Sequence, residues 1–138
     1  MTPVDQTEFS NVDVEPVTHG NCLSACLASI LDMPIADIPN YATVYQQTGK
    51  WIDDFESLLL GRGYQLLEFF YFPQNGTWED LLKKSPGIDG YFICCGPSPR
   101  ESAGGHAVIY KDGVLFHDPH PSRAGLLVLE DAYIIERV

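Results

Sequence analysis

The chain has 138 residues, of which 45% are apolar, and its formal net charge is −11 at pH 7. This length fits one domain, so we expect a single domain over 1–138 in which residues 1–18 form an extended arm. The negative charge argues against nucleic-acid binding and against adhesion to an anionic membrane, and neither partner is expected. No apolar run reaches the length of a membrane span, and we expect no secretory signal.

The four cysteines do not form a pattern typical of disulfides or of zinc. Cys94 and Cys95 are adjacent, Cys22 and Cys26 are one helical turn apart, and no CxxC pair occurs. Free thiols are typical of a reducing compartment, which predicts a cytoplasmic protein.

The first half of the chain is expected to be helical. Asn21 is a good N-cap residue, and apolar residues over 23–31 recur at helical spacing until Pro34 stops the helix. A short turn is expected at 35–38. A second helix is expected over 51–61, with acidic residues in its first turn and glycines at its end.

The second half is expected to be mostly strands. The aromatic and aliphatic run at 64–72 predicts a strand, Thr77 predicts a short helix to about residue 84, and 90–95 predicts another strand. A hairpin is expected over 106–119, followed by one or two strands in the tail. Helices followed by mainly antiparallel strands define an α+β fold.

The register of the hairpin decides whether His106 can meet Asp118. A two-residue turn at Asp112-Gly113 would place these side chains on opposite faces of the sheet, because strand side chains alternate. A three-residue turn, with Gly113 in the left-handed position of a bulge, would bring them face to face. We predict the three-residue turn.

Three residues have the chemistry of a cysteine nucleophile and its base. A thiol ionises more readily at a helix N-terminus, and Cys22 directly follows the expected cap Asn21. His106 can act as the base, Asp118 can orient its ring, and a backbone amide near Cys22 with one side-chain donor can hold an oxyanion. The competing interpretation is that Cys22 is a small core residue, since free cysteines are among the most buried residue types.

The same residues resemble a known family. The stretch NCLSACLASIL is similar to the nucleophile helix of papain-like cysteine peptidases, in particular the bacteriocin-processing double-glycine leader peptidases. GGHAVIY followed by LFHDP resembles the histidine strand and Asp-Pro of that family, and the whole chain resembles small phage-encoded proteins. The resemblance implies a papain-like fold, with an N-terminal nucleophile helix packed on a mostly antiparallel sheet. It also implies that Cys22 is the nucleophile, His106 the base and Asp118 the orienting acid.

The chain departs from the family pattern at two positions. The family has an oxyanion glutamine six residues before the cysteine, where this chain has Pro16, and a glycine after the cysteine, where it has Leu23. Gln6 is the nearest upstream substitute, and the arm must fold back for Gln6 to serve. Asn21 and His19 are further candidates for lining the site, although His19 also fits an exposed loop.

Other polar residues near the predicted site are candidates for binding. Loops that flank a catalytic strand often contact substrate, and Ser98, Arg100 and Ser102 precede His106 while Ser122 and Arg123 follow Asp118. Arg100 or Arg123 could bind a carboxylate or phosphate with two hydrogen bonds, or could simply be solvated.

Metal binding is the lesser option. His117, Asp118 and His120 could join His106 around a metal only if Asp118 left its place beside His106. We therefore expect neither a metal nor a cofactor.

Two functions remain open from the sequence. The first is a cysteine hydrolase that acts on a peptide, isopeptide or glutamine-type amide of a peptide or protein substrate through a thioester. The second is a catalytically inactive, acidic binding protein of phage type that keeps the fold and blocks a host factor.

Overall fold

Four α-helices and five strands account for the regular structure of the described residues, 1–74, 77–100 and 104–138, in the computed structural model. The elements in chain order are α1 (Cys22–Leu31), a 3₁₀ turn (Ile35–Asp37), α2 (Tyr41–Thr48), α3 (Ile52–Gly61), β1 (Tyr64–Tyr71), α4 (Trp78–Leu82), β2 (Tyr91–Pro97), β3 (Gly105–Lys111), β4 (Val114–His117) and β5 (Asp131–Arg137). The fold is therefore α+β, as the sequence predicts.

The five strands form one sheet in the order β1-β5-β2-β3-β4, and all the strand pairs are antiparallel. The tail supplies one strand, β5, which lies between β1 and β2. In consequence, β1 is connected to the β2-β3-β4 meander only through β5.

The sheet has an apolar core on each face. On one face, α1 and α3 cover the sheet, and Leu27 of α1 and Phe55 of α3 share a core with strand residues such as Ile109. On the other face, α4 contributes Leu81, which packs with Phe92. Alternate residues of the strands enter the two cores, as the period of two in a strand requires.

One helix was not expected from the sequence. The helix α2 begins after Asn40, whose side-chain oxygen accepts a hydrogen bond from the Thr43 N–H. Tyr41 is the one residue of α2 that is buried in the core, because most of α2 is polar and exposed. With so few buried positions, the helix lacks the apolar periodicity on which sequence patterns depend.

The predicted three-residue hairpin turn is wrong, yet His106 and Asp118 still meet. The turn contains two residues, Asp112 and Gly113, both with positive φ, as in the tight turn favoured by an Asp-Gly pair. Tyr110 pairs with Leu115, but its neighbour Ile109 pairs with His117. Phe116 is therefore an extra residue in β4. This bulge, and not the turn, shifts the register by one residue.

The arm at residues 1–18 lies along the domain. The Thr2 N–H donates to the Ser29 carbonyl, and the Gln6 N–H donates to the Pro119 carbonyl. Further along the arm, Asn11 and Thr18 form a short bridge. The arm therefore joins α1 to the loop that follows β4.

Within the described ranges, no single helix is long and apolar enough to cross a membrane. The helices over 22–31 and 35–48 meet that test only together, and they are bent by 113°.

Candidate active site

Cys22 is the first residue of α1 and is half-buried. The first N–H groups of a helix have no acceptor within the helix, so they point toward whatever lies before it. Packing of α1 against β3 brings this end of the helix to the start of β3. Cys22 consequently lines two cavities together with His106, and its thiol raises the pKa of the His106 ring.

His106 is bonded on its other side to Asp118. His106 Nε2 donates to Asp118 Oδ1 at 2.7 Å, which leaves Nδ1 as the ring nitrogen that faces Cys22. The Asp118 carboxylate is buried and also accepts from the backbone N–H groups of His120, at 2.8 Å, and Gly125, at 2.7 Å. The structure therefore brings Cys22, His106 and Asp118 together in that order.

The electrostatics of this cluster favour a charged pair. Burial alone lowers the pKa of His106, but the interactions with Asp118 and Cys22 outweigh the effect of burial and raise the pKa to about 9. Burial raises the pKa of Asp118, but the His106 ring and the two backbone N–H groups lower it to about 2. Near neutral pH, His106 is an imidazolium and Asp118 a carboxylate.

These shifts predict how stability depends on pH. The pKa of His106 is raised in the folded protein, so its contribution is complete below about 6.5 and is lost as pH rises through about 9. The pKa of Asp118 is lowered, so its contribution is present above 3.8 and is lost as pH falls toward about 2. Urea unfolding across this range should show both declines. His106→Gln should remove the part of the decline that lies between about pH 6.5 and 9, and an unchanged slope over that interval would contradict the assignment.

Gln6 reaches the same place from the arm. Gln6, Cys22 and His106 all line a small cavity of about 30 Å³, which can hold one water molecule or one oxygen atom. Gln6 is buried, and its Nε2 donates one hydrogen to the Glu8 carbonyl at 2.9 Å. The second hydrogen of the amide remains for another acceptor. The arm thus folds back and places Gln6 in the same cavity as Cys22 and His106.

Asn21 holds the arm and does not cap α1 with its side chain. Although Asn21 is at the N-cap position, its Oδ1 accepts from the N–H groups of Thr7 and Glu8, both at 2.9 Å. Its Nδ2 donates to Thr7 Oγ1. The capping interaction expected from the sequence is therefore replaced by a bond to the arm, and the first N–H groups of α1 remain available to a ligand.

Gly20 leaves the space that the Gln6 amide occupies. A Cβ atom at this position would lie 3.1 Å from Gln6 Nε2 and 3.2 Å from the Glu8 carbonyl oxygen. Sequence analysis did not select Gly20, because the approach of the arm is visible only in three dimensions.

The two candidate arginines have different surroundings. Arg123 forms a bidentate ion pair with Asp5, at 2.6 and 2.9 Å, and donates to the carbonyl of Asp118 at 2.6 Å. Its guanidinium therefore ties the arm to the Asp118 loop, which is a different role from the predicted binding of substrate. Arg100 lines the small cavity with Cys22 and donates to Ser122 Oγ at 3.4 Å.

The serines of the loop before His106 are only partly described. Ser98 is buried, and its Oγ accepts from the Arg100 N–H. Ser102 lies outside the described residues.

The remaining histidines make separate contacts. His117 Nε2 lies 2.9 Å from the Val4 carbonyl, and His120 Nδ1 lies 2.8 Å from Ser122 Oγ. His19 is half-buried and is absent from the three cavities that Cys22 lines, and its carbonyl accepts from Asn40 Nδ2. Across the part of the chain that the structure describes, no group of three or more His, Cys, Asp or Glu side chains could hold a metal ion.

The other three thiols differ from Cys22 in their environment. Burial raises the pKa of Cys26, Cys94 and Cys95, so these thiols stay protonated near neutral pH. Cys95 is the one that adjoins the site, where it lines a cavity with Cys22. The surroundings single out Cys22 as the cysteine in contact with a base.

Two larger cavities also border Cys22. The lining of the first, of about 610 Å³, includes glycines and the acidic residues Glu130 and Asp131. The second, of about 230 Å³, contains four aromatic side chains, those of Tyr41, Tyr45, Trp51 and Tyr133. Sequence analysis missed both sets. The aromatic spacing around 41–51 was the available signal, but it is also typical of a core.

Tyr41 carries a hydroxyl whose loss should stabilise the protein. Tyr41 is 3% exposed and its hydroxyl has no hydrogen-bond partner among the described residues, while burial raises the pKa of this group to about 12. Because an unsatisfied buried hydroxyl is destabilising, Tyr41→Phe should raise the free energy of unfolding by about 1 kcal/mol. Urea denaturation measures this, with the exposed Tyr45→Phe as a control that should show no change. A loss of stability in Tyr41→Phe would show that the hydroxyl is satisfied.

Comparison with protein-family models, with curated proteins and with solved structures found no match. The description of the site therefore depends on its own geometry: a thiol at a helix N-terminus, an imidazole bonded to a buried carboxylate, and an amide on an arm that folds back.

Proposed function

We propose that the protein is a cysteine hydrolase of papain-like type that acts on an amide bond of a peptide or protein. The observation that carries the proposal is that Cys22 lines two cavities together with His106, whose Nε2 lies 2.7 Å from Asp118 Oδ1. A thiol, an imidazole and a carboxylate that orients the imidazole together meet the requirements of nucleophilic catalysis by cysteine. The α+β fold, with α1 packed on an antiparallel sheet, agrees with the papain-like arrangement.

In the proposed reaction, the Cys22 sulfur reacts as a thiolate beside the His106 imidazolium, which carries a proton on Nδ1. The sulfur attacks the amide carbonyl carbon, and a C–S bond forms while the carbonyl π electrons move to oxygen. When the intermediate collapses, the C–N bond breaks and His106 Nδ1 protonates the departing amine, which leaves a thioester on Cys22 and a neutral imidazole. Water, deprotonated by His106, attacks the thioester, and the C–S bond breaks, which releases a carboxylic acid and restores the thiolate and the imidazolium.

The oxyanion of this reaction is assigned to Gln6 and to the N-terminus of α1. The Gln6 amide has a hydrogen not used by Glu8, and the small cavity it shares with Cys22 has room for one oxygen atom. Fixed donors of this type stabilise the charge that develops on the carbonyl oxygen.

Gln6→Ala tests the oxyanion assignment. Loss of one oxyanion donor should lower kcat for amide hydrolysis by about 100-fold. Alkylation of Cys22 by iodoacetamide forms no oxyanion, so its rate should be retained. The exposed Gln47→Ala is the matched control for both measurements. Equal losses of hydrolysis and alkylation in Gln6→Ala would mean that Gln6 supports the arm and not the reaction.

The proposed location is the cytoplasm. All four cysteines are free in the structure, and a hydrolase with a cysteine nucleophile needs its thiol reduced.

The decisive experiment measures the reactivity of Cys22 at pH 7. Limited iodoacetamide followed by peptide mapping should modify Cys22 at least about tenfold faster than the same cysteine in the unfolded chain, since a nearby imidazolium favours the thiolate. His106→Ala should bring the rate down to that of the unfolded chain. His19→Ala, at a histidine that lines none of the three cavities bordered by Cys22, serves as control. Equal rates in folded and unfolded wild-type protein would remove the support for an enzyme and favour a binding protein.

A further inference from the structure

The aromatic cavity beside Cys22 is built differently from the rest of the site. It lies where the start of α1, the helix α2 and the strand β5 come together, and four aromatic side chains surround it: those of Tyr41, Tyr45, Trp51 and Tyr133. Cys22 and Leu23 form the side toward the nucleophile. A group attached near an amide bound at Cys22 would therefore reach this cavity directly.

The lining of the cavity favours an uncharged group. None of the described residues that line the aromatic cavity is acidic or basic. The lining of the larger cavity that also borders Cys22 includes Glu130 and Asp131. A charged side chain would lose its hydration in the aromatic cavity without gaining a partner, but an apolar side chain would lose only contact with water. The volume of about 230 Å³ is sufficient for one large side chain and too small for a folded element.

The inner wall of the cavity is fixed in place before any ligand binds. The ring of Tyr41 packs on Trp51 and on Phe55, with centroid separations of 5.9 and 5.5 Å. Trp51 also packs on Phe55 at 5.4 Å. Tyr41 is 3% exposed, so its ring is held by its neighbours. A fixed wall that is mainly aromatic and has a few polar groups is the usual form of a ligand pocket.

We infer that this aromatic cavity is the specificity subsite of the enzyme and binds a bulky apolar side chain, of the size of leucine or phenylalanine, next to the amide that Cys22 attacks. The inference rests on the proposed function and adds the class of substrate. The substrate is then a peptide with a leucine-like or phenylalanine-like residue close to the scissile bond.

The test uses dipeptidyl acyloxymethyl ketones, which alkylate a cysteine as the sulfur displaces the carboxylate leaving group and forms a thioether. Two series of probes are needed. In the first series, the residue next to the ketone is Leu, Phe, Gly or Asp, and the residue one position further is Gly. In the second series, the two positions are exchanged. Mass spectrometry gives the second-order rate constant for modification of Cys22. In one series, the Leu or Phe probe should react at least about tenfold faster than the Gly and Asp probes, since burying a large apolar side chain discriminates by this order.

Ala42→Trp tests whether the cavity causes that preference. Ala42 is exposed on α2 and lines the cavity, so a tryptophan there fills the cavity without entering the core. The Leu-to-Gly rate ratio should fall to near one in Ala42→Trp. In the control Gln47→Trp, an exposed change on the same helix but outside the cavity, the ratio should stay at its wild-type value.

The outcomes separate the inference from the proposed function. Fast alkylation of Cys22 without a preference for Leu or Phe, or with a preference that Ala42→Trp does not change, overturns the subsite and leaves the hydrolase. Failure of every probe, and of iodoacetamide, to react faster than with an unfolded chain overturns both.

Discussion

Cys22→Ala should abolish amide hydrolysis, with a loss of at least about 10⁴-fold, since removal of a nucleophile leaves only the residual effect of binding and oxyanion stabilisation. The matched change is Cys26→Ala, one helical turn further along α1. Cys26 is fully buried, and burial raises the pKa of its thiol, so it takes no part in the proposed chemistry. Turnover of a mixed library of fluorogenic peptides measures both variants.

The fold of each variant must be intact for this comparison. Cys26→Ala should retain activity and lose some stability, because it removes a sulfur from the core, whereas Cys22 is only half-buried and its replacement should unfold nothing. Circular dichroism and urea unfolding provide the check. Wild-type turnover in Cys22→Ala would refute the assignment of the nucleophile.

Asp118→Asn should damage both stability and catalysis. The carboxylate accepts three hydrogen bonds, from His106 Nε2 and from the N–H groups of His120 and Gly125. An amide has only one oxygen, so its NH2 group must face one of these donors in either orientation. We expect the free energy of unfolding to fall by about 3 kcal/mol, as for removal of one partner of a buried pair.

The catalytic effect of Asp118→Asn follows from His106. Without the carboxylate, the pKa of His106 should fall from about 9, and the ring should lose its orientation. Hydrolysis should decrease by about 100-fold or more at pH 7. An NMR titration of the His106 ring measures the pKa, and Asp112→Asn, in the turn at the other end of β3, is the control. An unchanged midpoint of the His106 titration in Asp118→Asn would show that Asp118 does not influence the protonation of His106.

Most of the helices and strands of this fold could be predicted from the sequence. Where the structure differs from the prediction, the difference has a physical cause. The helix at Cys22–Leu31 follows from its apolar spacing. The helix at Tyr41–Thr48 does not, because it buries one residue and is fixed by the Asn40 cap. For the hairpin, the Asp-Gly pair indicated the two-residue turn, but the bulge at Phe116 depends on pairing along the whole strand.

The site was accessible to sequence analysis only in part. Chemistry selects Cys22 and His106 because the chain has only four cysteines and four histidines, whereas Asp118 is selected by its position directly after the strand that pairs with the His106 strand. The side chain of Asn21 was expected to cap a helix, but two N–H groups of the arm provide better-placed donors. The roles of Gly20 and Arg123 depend on the approach of the arm, and no local pattern contains that information.

The position of β5 has a consequence for biosynthesis. Residues 131–137 occupy the interior of the sheet between β1 and β2, although they are translated after every other strand. Gln6 and Cys22 leave the ribosome early, but the sheet that brings them to His106 cannot close until this late segment is available. Long-range pairing of this kind folds slowly. A nascent chain on the ribosome should therefore carry an unassembled site and be unable to cleave neighbouring polypeptides.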